Sequence, residues 1–421
     1  MLTKKILLQK DKLMKPFSTI LFFKNSIRLI TTFALIGSLF FSSCKKIIDN
    51  VHPFNQYLVY SEKIGDFTKQ QLDERFNPKT GRSYLIPYDQ YDISVYKIVY
   101  KTKYVNDSTV FASGAVILPK NAPTPSLLSM EHGDILNVDA LAPSHYAKTN
   151  TPANSAYYEG SAAASSGYIT ILPDYLGYGI SNDLIHPPSH RESLATSCTD
   201  MIFAAKEFLR FLHQPSTNKL YLAGYSEGGF ANLSLQKYIQ NHHLPLNVMA
   251  ASSGGAPSHI SKIAQYIFNY PSDPGSVKNY LAVILFYNAY YPHLSRPLSA
   301  YLQEPYATEI QKKGLENVTI NASLNSILNP TFVAGINSGT DVAFINALKD
   351  NDVYDWKPIA PLQLYHGTND IVIPFFNSQD AYTAMTARGG NVQFIPLPGL
   401  GHDEAIEPFV EGTLAFFKAN P

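Results

Sequence analysis

The chain has 421 residues, 45% hydrophobic and 13% aromatic, enough to bury one large core with an insertion, or two domains. Its 33 Lys and Arg balance 33 Asp and Glu, so no nucleic-acid or acidic-polymer partner is expected. Two cysteines, Cys44 and Cys198, exclude a disulfide framework; with no zinc-type spacing and no H-E-x-x-H, no metal site is expected either.

The amino terminus reads as a targeting segment. Lys4, Lys5, Lys10, Lys12, Lys15, Lys24 and Arg28 precede an apolar run, Leu29–Phe41, that is too short to span a membrane as a helix. Phe41-Ser42-Ser43-Cys44 then puts small residues directly before a cysteine. The pattern resembles a bacterial lipoprotein signal. That resemblance implies removal of residues 1–43, lipidation of Cys44, and a chain exported and anchored in the bacterial cell envelope. Phe41 stands where an aliphatic residue is usual, and a start at Met14 would leave a more ordinary signal. A plain secretory signal and an uncleaved anchor are the alternatives. With Cys44 acylated, Cys198 lacks a partner and is expected to be a small buried group on a helix. Residues 44–80 read as a tether and N-terminal segment, since Pro53 and Asn77-Pro78 break any continuous helix.

Strands and helices alternate over 81–256. Tyr91–Lys101 and Thr109–Leu118 are Val/Ile/Tyr-rich runs around a turn at Asn106-Asp107-Ser108, an opening hairpin. A third strand at Ser126–Met130 runs into Glu131-His132-Gly133-Asp134. A fourth, Tyr168–Leu172, precedes Pro173-Asp174-Tyr175-Leu176-Gly177-Tyr178-Gly179. Asp174 and the turn after it are read as structural. Apolar spacing predicts a helix over 192–213. A fifth strand, Leu220–Ala223, meets Gly224-Tyr225-Ser226-Glu227-Gly228, and a helical pattern follows through Tyr238. The adjacent His242 and His243 at that helix's end do not share a face and are read as surface residues. Val248–Ala251 is the sixth strand. The alternation then stops over 257–355, a stretch rich in Tyr, Leu and Ile that reads as a helical cap inserted after strand 6. Residues 356–421 resume the core with strands at Leu362–His366 and Val392–Ile395 and helices at Ser378–Ala387 and Asp403–Lys418. Repeated β–α units after an antiparallel opening predict an α/β fold with a mostly parallel sheet covered on both faces.

The stretch at 224–228 carries the chemistry. G-x-S-x-G between a strand and a helix is a nucleophile elbow: Ser226 sits at a strained tip, and Gly224 and Gly228 keep bulk away from it. A serine hydroxyl needs a general base, and the base needs a carboxylate that orients it. Asp370 lies in the loop after Leu362–His366, and His402 is the histidine beyond it, in the Gly-rich loop after the last strand. The order nucleophile, acid, base is the one this elbow requires. Taken singly, Asp370 could be a turn residue and His402 a surface histidine; Asp380 and Asp403 are alternative acids, and His366 is read as shaping the acid's loop. The oxyanion hole is expected from the N–H of Glu227 and that of Asp134, with Gly133 as the alternative donor.

Pro173-Asp174-Tyr-Leu-Gly-Tyr-Gly, Gly224-Tyr-Ser-Glu-Gly-Gly, His366-Gly-Thr-Asn-Asp370 and Gly401-His402 resemble the α/β-hydrolase superfamily. Within it, residues 90–421 are similar to secretory lipases and esterases of the Candida lipase A type and their bacterial relatives. The resemblance implies hydrolysis of a small-molecule or lipid ester through an acyl-enzyme, without a cofactor. Prolyl-oligopeptidase-like serine peptidases share the elbow. A non-catalytic surface lipoprotein holding an apolar ligand is the alternative from a different class.

Overall fold

The computed structural model describes residues 51–52, 55–135, 139–148 and 154–421. The signal-like segment 1–43, Cys44 and the choice between Met1 and Met14 lie outside the described residues. Nine strands form one sheet: β1 (Leu58–Phe67), β2 (Ile93–Lys103), β3 (Thr109–Pro119), β4 (Ser126–Glu131), β5 (Tyr168–Pro173), β6 (Lys219–Tyr225), β7 (Asn247–Gly254), β8 (Leu362–Gly367) and β9 (Val392–Leu397). Their spatial order is β1-β2-β3-β5-β4-β6-β7-β8-β9. The pairings β1–β2, β2–β3 and β3–β5 are antiparallel, and every pairing from β5 across to β9 is parallel.

Alternation along the strands decides what each face buries. Leu220 and Leu222 of β6 join Val116, Ile169 and Ile171 on one face, whereas Tyr221, Ala223 and Tyr225 join Ile117 and Leu172 on the other. The second face is covered by α1 (Lys69–Arg75), α2 (Ser161–Ser165) and the C-terminal helix α12 (Ile406–Ala419); the first by α3 (Arg191–Phe211), α4 (Glu227–Asn241) and α11 (Phe376–Ala387). Cys198 lies on α3, fully buried, as an unpaired thiol.

The structure departs from the sequence reading at the amino-terminal side. The core sheet begins at Leu58, inside the segment read as a tether, so the strand before the insertion is the seventh in chain order. β1 lacks a strand's sequence signal for a chemical as well as a periodic reason. Its sequence, LVYSEKIGDF, carries Gly65 and three charged residues, because it is an edge strand with one solvated side. Its start is held from a distance: the Glu207 carboxylate on α3 accepts from the backbone N–H groups of Gln56, Tyr57 and Leu58 at 3.0, 3.0 and 2.7 Å.

Between β7 and β8 lie six helices: α5 (Ile260–Asn269), α6 (Val277–Tyr290), α7 (Tyr306–Lys313), α8 (Leu324–Ile327), α9 (Pro330–Asn337) and α10 (Val342–Asp350). Most of the aromatic residues of this insertion pack on one another. Phe332 meets both Tyr301 and Phe344 edge-to-face at 5.0 Å, a favoured aromatic geometry. Polar contacts tie the insertion to the core: Tyr287 Oη donates to Ser189 O (2.9 Å), Tyr280 Oη to Val372 O (2.7 Å), and Arg191 pairs with Asp350 (2.9 Å).

Candidate active site

Ser226 stands between the end of β6 and the first turn of α4 at φ 60°, ψ −125°. An L-residue occupies that region only when its surroundings over-determine it. Here the Ser226 N–H donates to Gly254 O (2.8 Å) and its carbonyl accepts from the Phe230 N–H (3.1 Å). A Cβ at Gly224 would collide with the Gly228 carbonyl, and one at Gly228 with the Glu131 carbonyl, so both positions must be glycine for the turn to close.

Two loops at the carboxyl ends of β8 and β9 bring the partners. His402 Nε2 lies 2.9 Å from Ser226 Oγ, and its Nδ1 lies 2.6 Å from Asp370 Oδ2. The other carboxylate oxygen of Asp370 accepts from the N–H groups of Val372 and Ile373 at 2.9 and 2.8 Å. Burial pushes the Asp370 carboxyl up, but hydrogen bonds from His366 and His402, the His402 charge and the Ile373 N–H outweigh it and bring it down to about 2. The loops are laced together by Asn369 N–H donating to Leu400 O (3.0 Å), and Tyr225 Oη donates to His402 O (2.6 Å). His366 is fully buried beside the acid, with Nε2 at 2.9 Å from Ile373 O and 3.3 Å from Asp370, and Nδ1 at 2.7 Å from Ser378 Oγ. Asp380 is turned away, bonded to His259 (2.8 Å) and Lys262 (2.6 Å), and Asp403 is exposed.

Glu227 and Asp134 both line the cavity that reaches Ser226. The Glu227 N–H belongs to the first turn of α4, where no intrahelical acceptor exists for it. Gly133 lies against the elbow, but not because a side chain would clash: its Cβ would sit 3.4 Å from Tyr225 O and 3.5 Å from Ser226 Cβ, ordinary contact distances. The steric need for glycine is at 224 and 228. The loop is propped from beneath by Tyr175, whose ring stacks on His132 at 4.2 Å and whose Oη donates to His132 O (3.0 Å). Asp174 is fully buried and structural in its contacts: it accepts from Ser113 Oγ (2.5 Å) and from Ser144 N–H (2.7 Å).

Two side chains under the elbow escaped sequence reasoning. Glu131 is buried, its Oε1 accepts from Ser129 Oγ (2.6 Å), and burial pushes its carboxyl up to about 8. His186 meets the Glu227 carboxylate at 3.0 Å. An acid at the start of a buried helix signals that a partner exists. Its identity was not readable, because His186 comes from a loop 41 residues away.

An apolar cavity of about 110 Å³ joins Ser226 to the insertion, walled by Ile260, Ile263, Ala264 and Ile267 of α5, Val283 and Ile284 of α6, and Phe344 and Leu348 of α10. A wider cleft of about 490 Å³ shares Ser226 and Asp134 with it and takes in His402, Asp403, Arg82 and Glu159. Ser226 therefore stands where a narrow apolar cavity meets a wider cleft of mixed lining. Among the described residues, no group of three or more His, Cys, Asp or Glu is arranged to hold a metal ion.

A strained serine elbow at the crossover of a mostly parallel sheet, facing loops from its last two parallel strands, defines the class: an α/β-hydrolase. Within that class the chain belongs to the secretory lipase family, which it matches over residues 157–408. It is 23% identical over 326 residues to the secreted triacylglycerol lipase LIP5 of Malassezia globosa, a match covering 73% of this chain and 66%, just under two thirds, of that lipase. Among solved structures, a protein of Legionella pneumophila subsp. pneumophila is 28% identical with a TM-score of 0.76, covering 86% of this chain and 98% of its own. The cell-wall-degrading esterase LipA of Xanthomonas oryzae (20%, TM-score 0.72, 86% and 99% covered) and Candida antarctica lipase A (18%, 0.60, 85% and 82%) share the fold.

Proposed function

We propose that this chain hydrolyses carboxylic esters of apolar acids through an acyl-enzyme on Ser226. The observation that carries the reading is the unbroken line of contacts Ser226 Oγ–His402–Asp370, at 2.9 and 2.6 Å, beside an apolar cavity. His402 Nε2 takes the hydroxyl proton as Ser226 Oγ attacks the ester carbonyl. Asp370, held ionised, keeps the Nδ1 proton in place and stabilises the imidazolium. The N–H groups of Glu227 and Asp134 receive the oxyanion, each donor worth roughly 3 kcal/mol of transition-state stabilisation. His402 returns the proton to the leaving alcohol, and water then releases the acid by the reverse sequence.

The apolar cavity suits the acyl chain, and residues 257–355 act as the cap that supplies its wall. The triacylglycerol lipase among the relatives is in keeping with a lipid ester. Export is in keeping with the family, and the amino-terminal pattern supports lipidation at Cys44 as the proposed anchor. The test is hydrolysis of p-nitrophenyl esters from acetate to palmitate, with Ser226→Ala as control. Turnover lost in Ser226→Ala supports the reading, with a remainder of about 10³–10⁴ over water at most. Activity on peptide amides but on no ester would replace it with a peptidase.

A further inference from the structure

We propose that Glu227 and His186 act as one positioning pair for this reaction, holding the elbow N–H and a wall of the acyl cavity in fixed register. The inference rests on Ser226 being the nucleophile. Glu227 has two separate jobs in the structure. Its backbone opens α4 beside Ser226, and its carboxylate turns away from the reacting serine into the loop before α3. There its Oε1 accepts from His186 Nε2 (3.0 Å) and from the Ser189 N–H (3.3 Å). The ring's other nitrogen, Nδ1, lies 2.9 Å from Leu176 O, a carbonyl that can only accept. Nδ1 must therefore donate, and with Glu227 ionised Nε2 donates as well, which makes His186 an imidazolium facing a carboxylate. Burial pulls the His186 imidazole down, but the Glu227 charge and hydrogen bond, with Asp134 adding, outweigh it and leave it raised. Burial likewise pushes Glu227 up, and His186 outweighs it and leaves it lowered.

Both partners are well withdrawn from water, and a pair so placed is held by geometry rather than by attraction alone. The charged and titratable groups facing it are Asp134 and His132 from the loop after β4, Tyr175 and Tyr178 from the loop after β5, and Cys198 on α3, with Glu131 at the end of β4 beside Tyr175 and Cys198. The Tyr178 ring lies 4.9 Å from the imidazolium, within reach of a cation–π contact. Ser189 extends the linkage. Its N–H reaches Glu227, its carbonyl accepts from Tyr287 of α6 (2.9 Å), and it lines the cavity beside Pro188. One carboxylate thus ties the expected oxyanion donor to the seam where core meets insertion.

Glu227→Gln, His186→Gln and the double variant, each checked for folding by near-ultraviolet circular dichroism, would be assayed on p-nitrophenyl butyrate beside Ser226→Ala. Each single change is expected to lower kcat roughly 10- to 100-fold, less than outright loss of an oxyanion donor. KM should move less than about threefold, and the double variant should lose no more than the worse single, because the two act as a unit. A folded single variant within twofold of the wild-type kcat, or losses that multiply, would overturn the pair. Full activity in Ser226→Ala would instead overturn the nucleophile. Should the variants not fold, ¹⁵N spectra of histidine-labelled wild-type protein at pH 7 decide: both His186 ring nitrogens protonated supports the pair, and an unprotonated Nε2 sinks it.

Discussion

At the scale of single residues, the site separates carboxylates by their surroundings. Asp370 and Asp380 are both acids near the carboxyl end of the sheet, yet Asp370 meets His402 and Asp380 meets His259 and Lys262. Asp370→Asn should lower kcat on p-nitrophenyl butyrate by roughly 10⁴, since it would favour the wrong tautomer of His402. Asp380→Asn should leave kcat within about threefold; a comparable loss there would reassign the acid. Glu131 shows the opposite environment. Its carboxyl, pushed from 4.5 to about 8 by burial, keeps its proton in the folded chain while the unfolded chain loses it. Stability attributable to this group is full below about pH 4.5 and declines as pH rises toward 8, by up to about 1.4 kcal/mol per pH unit. Glu131→Gln removes that dependence, so urea midpoints of variant and wild type should diverge steadily between pH 5 and pH 8. Parallel curves would show that Glu131 is ionised when folded. Ser226, Asp370 and His402 are legible as candidates because each sits at a strand end near a glycine and in the required order. Nothing local marked Glu131 as a neutral acid: its state depends on what covers it.

At the scale of elements, period-two and helical spacing locate β2 through β9 and the long helices outside the insertion to within a few residues, because each buries a defined face. The edge strand β1 failed that test for a physical reason. With one side solvated and its first N–H groups satisfied by Glu207 of α3, it needs no apolar alternation to be a strand. Helix α5 carries a functional consequence of spacing. Ile260, Ile263, Ala264 and Ile267 recur at i, i+3, i+4 and i+7, so one stripe of α5 faces the cavity. Ala264 is the smallest of them. Ala264→Phe should fill the cavity and cut activity on laurate and palmitate esters more than about tenfold, with acetate and butyrate within about threefold. A uniform loss across chain lengths would mean that the acyl chain lies elsewhere, with the wider cleft around His402 the next place to look.

At the scale of the whole molecule, the question is what holds the chain to a membrane. Lys and Arg equal Asp and Glu, and among the described residues no helix is long and apolar enough to cross a bilayer. On the proposed reading, membrane association rests on the amino terminus and its acyl chains. Cys44→Ser should move the protein from the membrane fraction to the soluble or secreted one, with kcat on short esters unchanged. Retention of Cys44→Ser in membranes would point to an uncleaved anchor instead.

The sequence by itself determined the strand–helix alternation, the elbow and the chain order of its partners. These follow from local rules: side-chain period, backbone freedom at Gly224 and Gly228, and loops at strand ends. Only the tertiary structure decided that β1 joins the sheet, that Gly133 is not sterically required, and that Asp370 rather than Asp380 faces His402. It alone also brought His186 to Glu227 across 41 residues. Such contacts depend on which loops the parallel crossovers place side by side and on how completely water is excluded there. Both are properties of the packed molecule, not of any stretch of chain.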